Sequence, residues 1–409
     1  MRVLVITFGT EGDVRPLAAL CWALTRAGHE ARLLAPGDAL DAARALGVAA
    51  HGLPGAIRAT LSGAGTTGNA NSAAALARAA NANASAWLRL ALEHGAGCDV
   101  VIGAGLAAFT GFSAAEKLGA LGIGAGMFPL TPTAEFASPF IPPGRTPAWA
   151  NRLTFRMLNQ LIWRGMAKAT NAARREAGLP PRRRLWTEPP MLYGFSRHLI
   201  ARPRDWPASV EICGAWTPPT PDWSPPEDLA RFLAAGEPPI YVGFGSMAVA
   251  EPRRLMAALV AAVGGRRALF YPGWSGVLEP DLPSNFHVIG GAPHDWLFPR
   301  VAMAIHHGGS GTTHSAARAG VPSVVAPFAG DQPFWADRLR RAGVAARIDV
   351  HRPDAEAITA AIAFAGQGDV RARAAELGKA MAGEDGLASA VARLEALAAG
   401  AAPRPTGSP

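Results

Sequence analysis

Between positions 301 and 322 the sequence reads VAMAIHHGGSGTTHSAARAGVP. An apolar run stops at His306 and His307, small residues follow from Gly308 to Thr313, and a helix-forming stretch ends at Gly320. A strand-to-helix turn almost without side chains lets a ligand approach the backbone. The helix after it offers unpaired N–H groups and the positive end of its dipole. Together these make an anion site, and the hydroxyls of Ser310, Thr312 and Thr313 add donors. A histidine beside the turn can donate to a phosphate oxygen. The stretch is not a P-loop, having no G-x-x-x-x-G-K-S/T and no nearby lysine. It is not a nucleophile elbow either, because Thr312 stands where the second glycine would be. The plain alternative is a tight turn with an ordinary Ser/Thr cap.

The elements that must hold this cradle are legible around it. RVLVITF is a strand, GTEGDV a turn, RPLAALCWALTRAG a helix and HEARLLAP a second strand, which makes a βαβ unit and a parallel sheet. DVVIGAG and GIGAGMF continue the strand pattern. The Ala/Asn/Ser-rich stretch 60–86 reads as a long loop with some helix. Around 203–226 the chain turns rich in proline and tryptophan, as a linker does. PPIYVGFGSM then restarts the strand–turn–helix pattern, and its YVGFGS matches VITFGT at 5–10. These features predict two doubly wound α/β domains facing each other across a cleft, with function at the strand carboxyl ends. The expected division is 1–205, a linker at 206–226, a second domain at 227–398 and a flexible tail at 399–409.

The stretch 293–338, PHDWLFPRVAMAIHHGGSGTTHSAARAGVPSVVAPFAGDQPFWADR, resembles the donor-binding signature of nucleotide-sugar-dependent glycosyltransferases with the two-domain GT-B fold. The subgroup it most resembles contains sterol glucosyltransferases and the glycosyltransferases of glycopeptide-antibiotic pathways. GTEGDVRPLAAL and PPIYVGFGSM match the same subgroup, so the resemblance covers both halves. It implies that His307 contacts the donor diphosphate and that Gly309, Ser310, Gly311 and Thr312 form the phosphate site. It also implies that Asp331 and Gln332 hold the donor sugar's hydroxyls. Ser246 resembles the hydroxyl of a second phosphate-facing turn, and Asp13 the catalytic base. Pro293, His294 and Trp296 fall on the nucleoside side, with Trp296 read first as core. Three places depart from the pattern. A base-stacking tryptophan and a ribose-holding acid of many relatives are replaced by Gly291 or a near neighbour and by Ser315, and Glu11 stands where several relatives carry arginine.

Chemistry alone asks for the same parts. Asp13, at the start of the first helix, would take the acceptor hydroxyl's proton during attack on the anomeric carbon, and a single displacement would invert configuration. An acid in a first helical turn can also merely complement the dipole. The expected activity is transfer of a hexose from a UDP-sugar or dTDP-sugar to a hydroxyl of an apolar acceptor. The alternatives are a nucleotide-sugar-processing enzyme of epimerase type and a non-catalytic nucleotide-sugar or lipid binder. The nucleotide sugar is a co-substrate and no cofactor is expected. No D-x-D, H-E-x-x-H or tight Cys/His cluster calls for a metal.

The chain has 409 residues, of which 49% are apolar, enough for a large core. Its net charge of +8 is almost all arginine, with lysine only at 117, 168 and 379. Such a balance suits anionic ligands or surfaces, but the charge is dispersed and no basic-aromatic module supports nucleic-acid binding. Cys21, Cys98 and Cys213 lie far apart, which fits a reducing cytosol. No apolar run reaches the roughly 20 residues a bilayer span needs. The stretch 146–176 reads as a helix, with Trp149, Leu153, Met157 and Leu161 on one stripe among Arg152, Arg156, Arg164 and Lys168. It reads either as a connecting helix packed on the first domain or as a peripheral membrane or acceptor contact.

Overall fold

The computed structural model of the chain describes residues 1–57, 60, 69–219, 223–245, 251–273 and 282–401. β1 (Arg2–Phe8), β2 (Glu30–Pro36), β3 (Ala49–Leu53), β4 (Val100–Gly105), β5 (Leu121–Gly126), β6 (Met191–Tyr193) and β7 (Val210–Ile212) form one sheet in the order β3-β2-β1-β4-β5-β6-β7. β8 (Ile240–Gly243), β9 (Ala268–Tyr271), β10 (Phe286–Val288), β11 (Met303–His306), β12 (Ser323–Val325) and β13 (Ala345–Arg347) form the other in the order β10-β9-β8-β11-β12-β13. Every pairing is parallel. In each sheet the strand order reverses beside the first strand, between β1 and β4 and between β8 and β11. Crossovers leave in opposite directions there and open a crevice at the carboxyl ends. The repeated Phe-Gly marks both places, and Phe8 and Phe244 are fully buried.

Several expectations change. Helix Asn69–His94 covers most of the stretch read as a loop. Its buried face is Ala80, Ala84, Trp87, Leu88 and Ala91. Alanine is the strongest helix former but a faint hydrophobic signal, so the periodicity was hidden. The span 206–226 is not only linker, because it contains β7, and Trp206 and Trp216 are core residues. Residues 220–222 lie outside the described residues.

The last helix, Gly386–Ala401, belongs spatially to the first domain rather than the second. Ala390, Val391 and Leu394 join the core formed by Val14, Leu17, Cys21 and Leu24 of helix Glu11–Arg26. His29 bonds Glu395 of this helix at 2.9 Å through Nε2. The helix extends through Ala401, so of the expected tail only 402–409 lies outside the described residues.

The domains share a core as well as a crevice. Tyr193, Phe195, Trp206 and Ile212 of the first pack with Phe334, Trp335, Leu339 and Met381 of the second. Helix Asn151–Glu176 buries Phe155, Trp163, Met166 and Ala173 against the first domain. Its opposite face carries the apolar stripe into solvent, with Trp149 83% and Leu161 67% exposed.

The returning helix starts where two backbones nearly touch. A Cβ on Gly386 would lie 2.5 Å from Ala215 O and from the Gly214 carbonyl carbon. Gly386→Val is therefore expected to destabilise the chain by about 1–3 kcal/mol, the usual range for overpacking. Urea unfolding of the variant against the wild type measures this.

Candidate active site

The turn after β11 is organised by its histidines in different ways. His306 is fully buried, and its Nδ1 accepts the Gly308 N–H at 3.1 Å. It shapes the turn from within. The His307 ring lies between two glycines, where a Cβ on Gly309 would sit 2.4 Å from Nε2 and one on Gly245 3.0 Å from Cε1. Those glycines make room for the ring at the facing ends of β11 and β8. The buried Nδ1 of His307 has no protein partner among the described residues.

Gly309 is the N-cap of helix Ser310–Arg318, and no side chain caps the helix. Its first N–H groups and dipole therefore point outward beside His307. Gly311 is open to solvent, and Thr312 lies half-buried on the same turn. Ser310 faces the other domain, its hydroxyl donating to Met127 O, just after β5, at 2.9 Å. His314 adds a second link across the seam, with its Nε2 accepting the Ser196 N–H at 3.1 Å. That bond leaves the ring proton on Nδ1, which donates to Ser310 O at 2.7 Å.

Burial pushes the pKa of His306 down to about 3, and those of His307, His314 and His294 down to about 4. All four rings are neutral at pH 7. The anion-attracting potential comes instead from the helix terminus. The positive charge of Arg15, on the first domain, also lowers the pKa of His294, on the second. Glu11, the departure from the family arginine, bonds Arg15 at 3.0 Å.

Carboxylates of the two domains also sense each other. Asp13 stands in the first turn of helix Glu11–Arg26 and accepts the Thr10 N–H at 2.9 Å. Burial raises its pKa to about 6 against that bond. Asp331, before helix Gln332–Arg341, accepts the Trp335 indole N–H at 2.8 Å. Its pKa rises to about 7, first from burial and then from the charge of Asp13 across the crevice. Gln332 is buried, and its Oε1 accepts the N–H groups of Phe328 and Ala329 at 2.8 and 3.0 Å. Its carbonyl closes the turn, leaving the amide N–H groups to reach a ligand.

Asp13, His307, Gly309, Gly311, Thr312 and Asp331 thus gather at the facing edges, with Ser310 between the domains. His294 stacks on Phe298 with ring centroids 4.4 Å apart, and Pro293 caps the short helix that carries it. Trp296, half-buried, packs edge-on against Trp223 at 4.8 Å, with the Arg300 guanidinium over its ring. Ser246 lies outside the described residues. Among those described, no group of three or more His, Cys, Asp or Glu side chains has metal-binding geometry. Sequence reasoning missed Gly9, Arg15, His314 and Trp335. The glycine just before the Thr10 cap was the one available signal.

The profile of the erythromycin biosynthesis protein CIII-like C-terminal domain matches residues 271–397. The chain is 34% identical to O-mycaminosyltylonolide 6-deoxyallosyltransferase of Streptomyces fradiae, over 97% of each chain. It is 35% identical to sterol 3-beta-glucosyltransferase UGT80A2 of Arabidopsis thaliana over 64% of this chain, and that match spans 43% of the plant protein. Among solved structures, the glycotransferase of kitacinnamycin superposes with a TM-score of 0.74 at 18% identity, covering 97% of this chain and 98% of that one. Glycosyltransferase VinC in complex with DTDP superposes at 0.67 with 20% identity, covering 98% and 100%. Fold and relatives together define a glycosyltransferase of GT-B architecture. The chain belongs to the family that holds the sterol and antibiotic glycosyltransferases.

Gly9 permits the Asp13 geometry, since a Cβ there would lie 2.2 Å from Asp13 Oδ2. Gly9→Ala is expected to swing the carboxylate out of place, and a fall in sugar transfer on the order of 10²-fold would mark Asp13 as a group that acts in the reaction. Circular dichroism should show the fold retained, and steady-state kinetics reads the loss.

Proposed function

We propose that this chain transfers a hexose from a UDP-sugar or dTDP-sugar to a hydroxyl of an apolar acceptor, with inversion at the anomeric carbon. The observation that carries the reading is the uncapped terminus of helix Ser310–Arg318, which the Ser310–Met127 bond holds against the domain that carries Asp13. A proton acceptor, a sugar-holding group and an anion site then share one space.

In this reading the acceptor oxygen attacks the anomeric carbon as its proton passes to Asp13. The carbon–oxygen bond to the diphosphate breaks, and its electron pair stays on the departing phosphate. The N–H groups at the start of helix Ser310–Arg318 and one His307 N–H receive the developing charge. One displacement gives inversion. A base works best with a pKa near the working pH, and the raised Asp13 meets that condition. Asp331 and the Gln332 amide hold the sugar hydroxyls. Ser246, Gly309, Gly311 and Thr312 line the phosphate side, and Pro293 and His294 the nucleoside side. Ser310 would serve the phosphates through its backbone N–H, its hydroxyl being engaged by Met127.

The test incubates the full chain with UDP-glucose and dTDP-glucose, each against a panel of sterols, macrolide aglycones and other apolar alcohols. Mass spectrometry seeks an added hexose, and proton NMR assigns the anomeric configuration. The expected result is an inverted glycoside from at least one pair. Acceptor-independent conversion of the nucleotide sugar, or binding without turnover across the panel, would overturn the reading.

Asp13→Asn keeps the shape and removes the base, so transfer should fall roughly 10²–10⁴-fold. The stability effect has the opposite sign to a lost dipole partner. The folded pKa of Asp13 lies near 6, above its ordinary 3.8. Ionisation therefore costs folding free energy from about pH 4 upward and reaches its full cost above pH 6. The asparagine variant should melt at a higher temperature than the wild type at pH 8, and the gain should shrink to nothing below pH 4. Melting curves at the two pH values check the sign.

His307→Ala should weaken donor use by about 1.5–3 kcal/mol, the range for a hydrogen bond to a charged group. An unchanged KM and kcat for the nucleotide sugar in a folded variant would contradict the diphosphate role.

A further inference from the structure

We propose that the exposed face of helix Asn151–Glu176 is a docking surface for an anionic lipid bilayer. Its first half presents Leu153, Met157 and Leu161, 48%, 64% and 67% exposed, and Trp149, in the turn just before it, is 83% exposed. At 100° per residue Leu153, Met157 and Leu161 fall within one quadrant of the helix. The same geometry brings Arg164, Lys168 and Arg175 onto that quadrant in the second half, all three exposed. None of the three has a carboxylate within salt-bridge distance among the described residues. Arg152, by contrast, is engaged by Asp205 and does not count toward the basic set. Apolar groups for about 18 Å, then cations on the same line, match an interfacial helix with its apolar part among the acyl chains and its basic part over the headgroups.

Three features favour a bilayer over other occupants. The face is a ridge of side chains rather than a groove, which suits a planar partner. A tryptophan leads it, and tryptophan prefers the membrane–water boundary. A second copy meeting it through the same stripe would bring no carboxylate to the basic half, whereas anionic headgroups supply negative charge along the whole length. The helix lies on the surface and does not insert across it, since no described helix is long and apolar enough to span a bilayer. The face also starts near the crevice. Phe128 follows Met127 and packs edge-on against the exposed Phe140 at 5.2 Å, and the Ser138 N–H donates to Thr154 Oγ1 of the helix at 2.8 Å. On the transferase reading above, docking would set the crevice beside a store of apolar acceptors. The binding itself does not depend on that reading.

The test floats the full chain with vesicles of phosphatidylcholine, alone or mixed with phosphatidylglycerol, at low and high salt. Binding to the mixed vesicles only, and release by salt, are expected. Arg164→Glu/Lys168→Glu/Arg175→Glu should weaken binding at least 100-fold, at roughly fivefold for each basic residue. Leu153→Ser/Met157→Ser/Leu161→Ser should weaken it while leaving circular dichroism unchanged. Brominated lipid should quench wild-type fluorescence more than that of Trp149→Phe. Absence of binding to the mixed vesicles at low salt would overturn the proposal. So would binding that the serine variant leaves intact, which would mark a charge contact shared with any acidic polymer. A dimer in light scattering that the serine variant abolishes would assign the face to a second copy instead.

Discussion

The site depends on one seam, where the carboxyl edges of two separate sheets are held face to face. Ser310 donates to Met127 O, and the Ser196 N–H donates to His314, so the helix whose uncapped end faces the crevice is itself bonded to the opposite domain. Around these bonds the aromatic core continues through the interface. Phe136 packs on Phe334 and Phe195 on Trp335. A large apolar contact resists the free swinging that small polar domain interfaces allow. The last helix returns to the first domain and ties the ends together a second time. Asp13 and Asp331 can influence each other only because of this frame.

The same enclosure sets the chemistry. Moving titratable groups out of water disfavours their charged forms, so the histidines become neutral and the carboxylates weak acids. Neutral histidines donate hydrogen bonds without a fixed positive charge, and the oriented N–H groups of a helix end supply the field. Two carboxylates drawn together raise each other's cost of ionisation, and Asp331, more affected than Asp13, is the one nearer to holding its proton at neutral pH. Trp335 and Thr10 offset part of that cost by donating to them. Residues that sequence motifs pass over thus tune those that the motifs contain.

Much of this was legible. Glycine clusters at strand ends, the histidine pair, the Asp-Gln dipeptide and the repeated Phe-Gly all report local constraints, and local constraints are written in consecutive residues. The two doubly wound domains followed from alternating strand and helix patterns. What was lost had physical causes. Helix Asn69–His94 hides its periodicity because alanine fills its buried face. β7 lies in a Pro/Trp-rich stretch because a three-residue edge strand needs little pattern. The exposed side of helix Asn151–Glu176 has the same stripe that a buried side would have, and only the packing of Phe155 and Trp163 on the opposite face shows which of the two meets solvent.

The sequence by itself determined most of the elements, the glycine-rich turn after β11 and the identity of the side chains proposed to act, because turn geometry, capping and hydrophobic period act over a few residues. Tertiary structure decided that the chain's last helix belongs to its first domain, that Ser310 spends its hydroxyl on Met127, that His314 joins the domains, and that Asp13 and Asp331 titrate as neighbours. Those outcomes depend on contacts between residues up to several hundred positions apart. No local pattern encodes such a contact, because the free energy that selects it is released only when both surfaces are already folded.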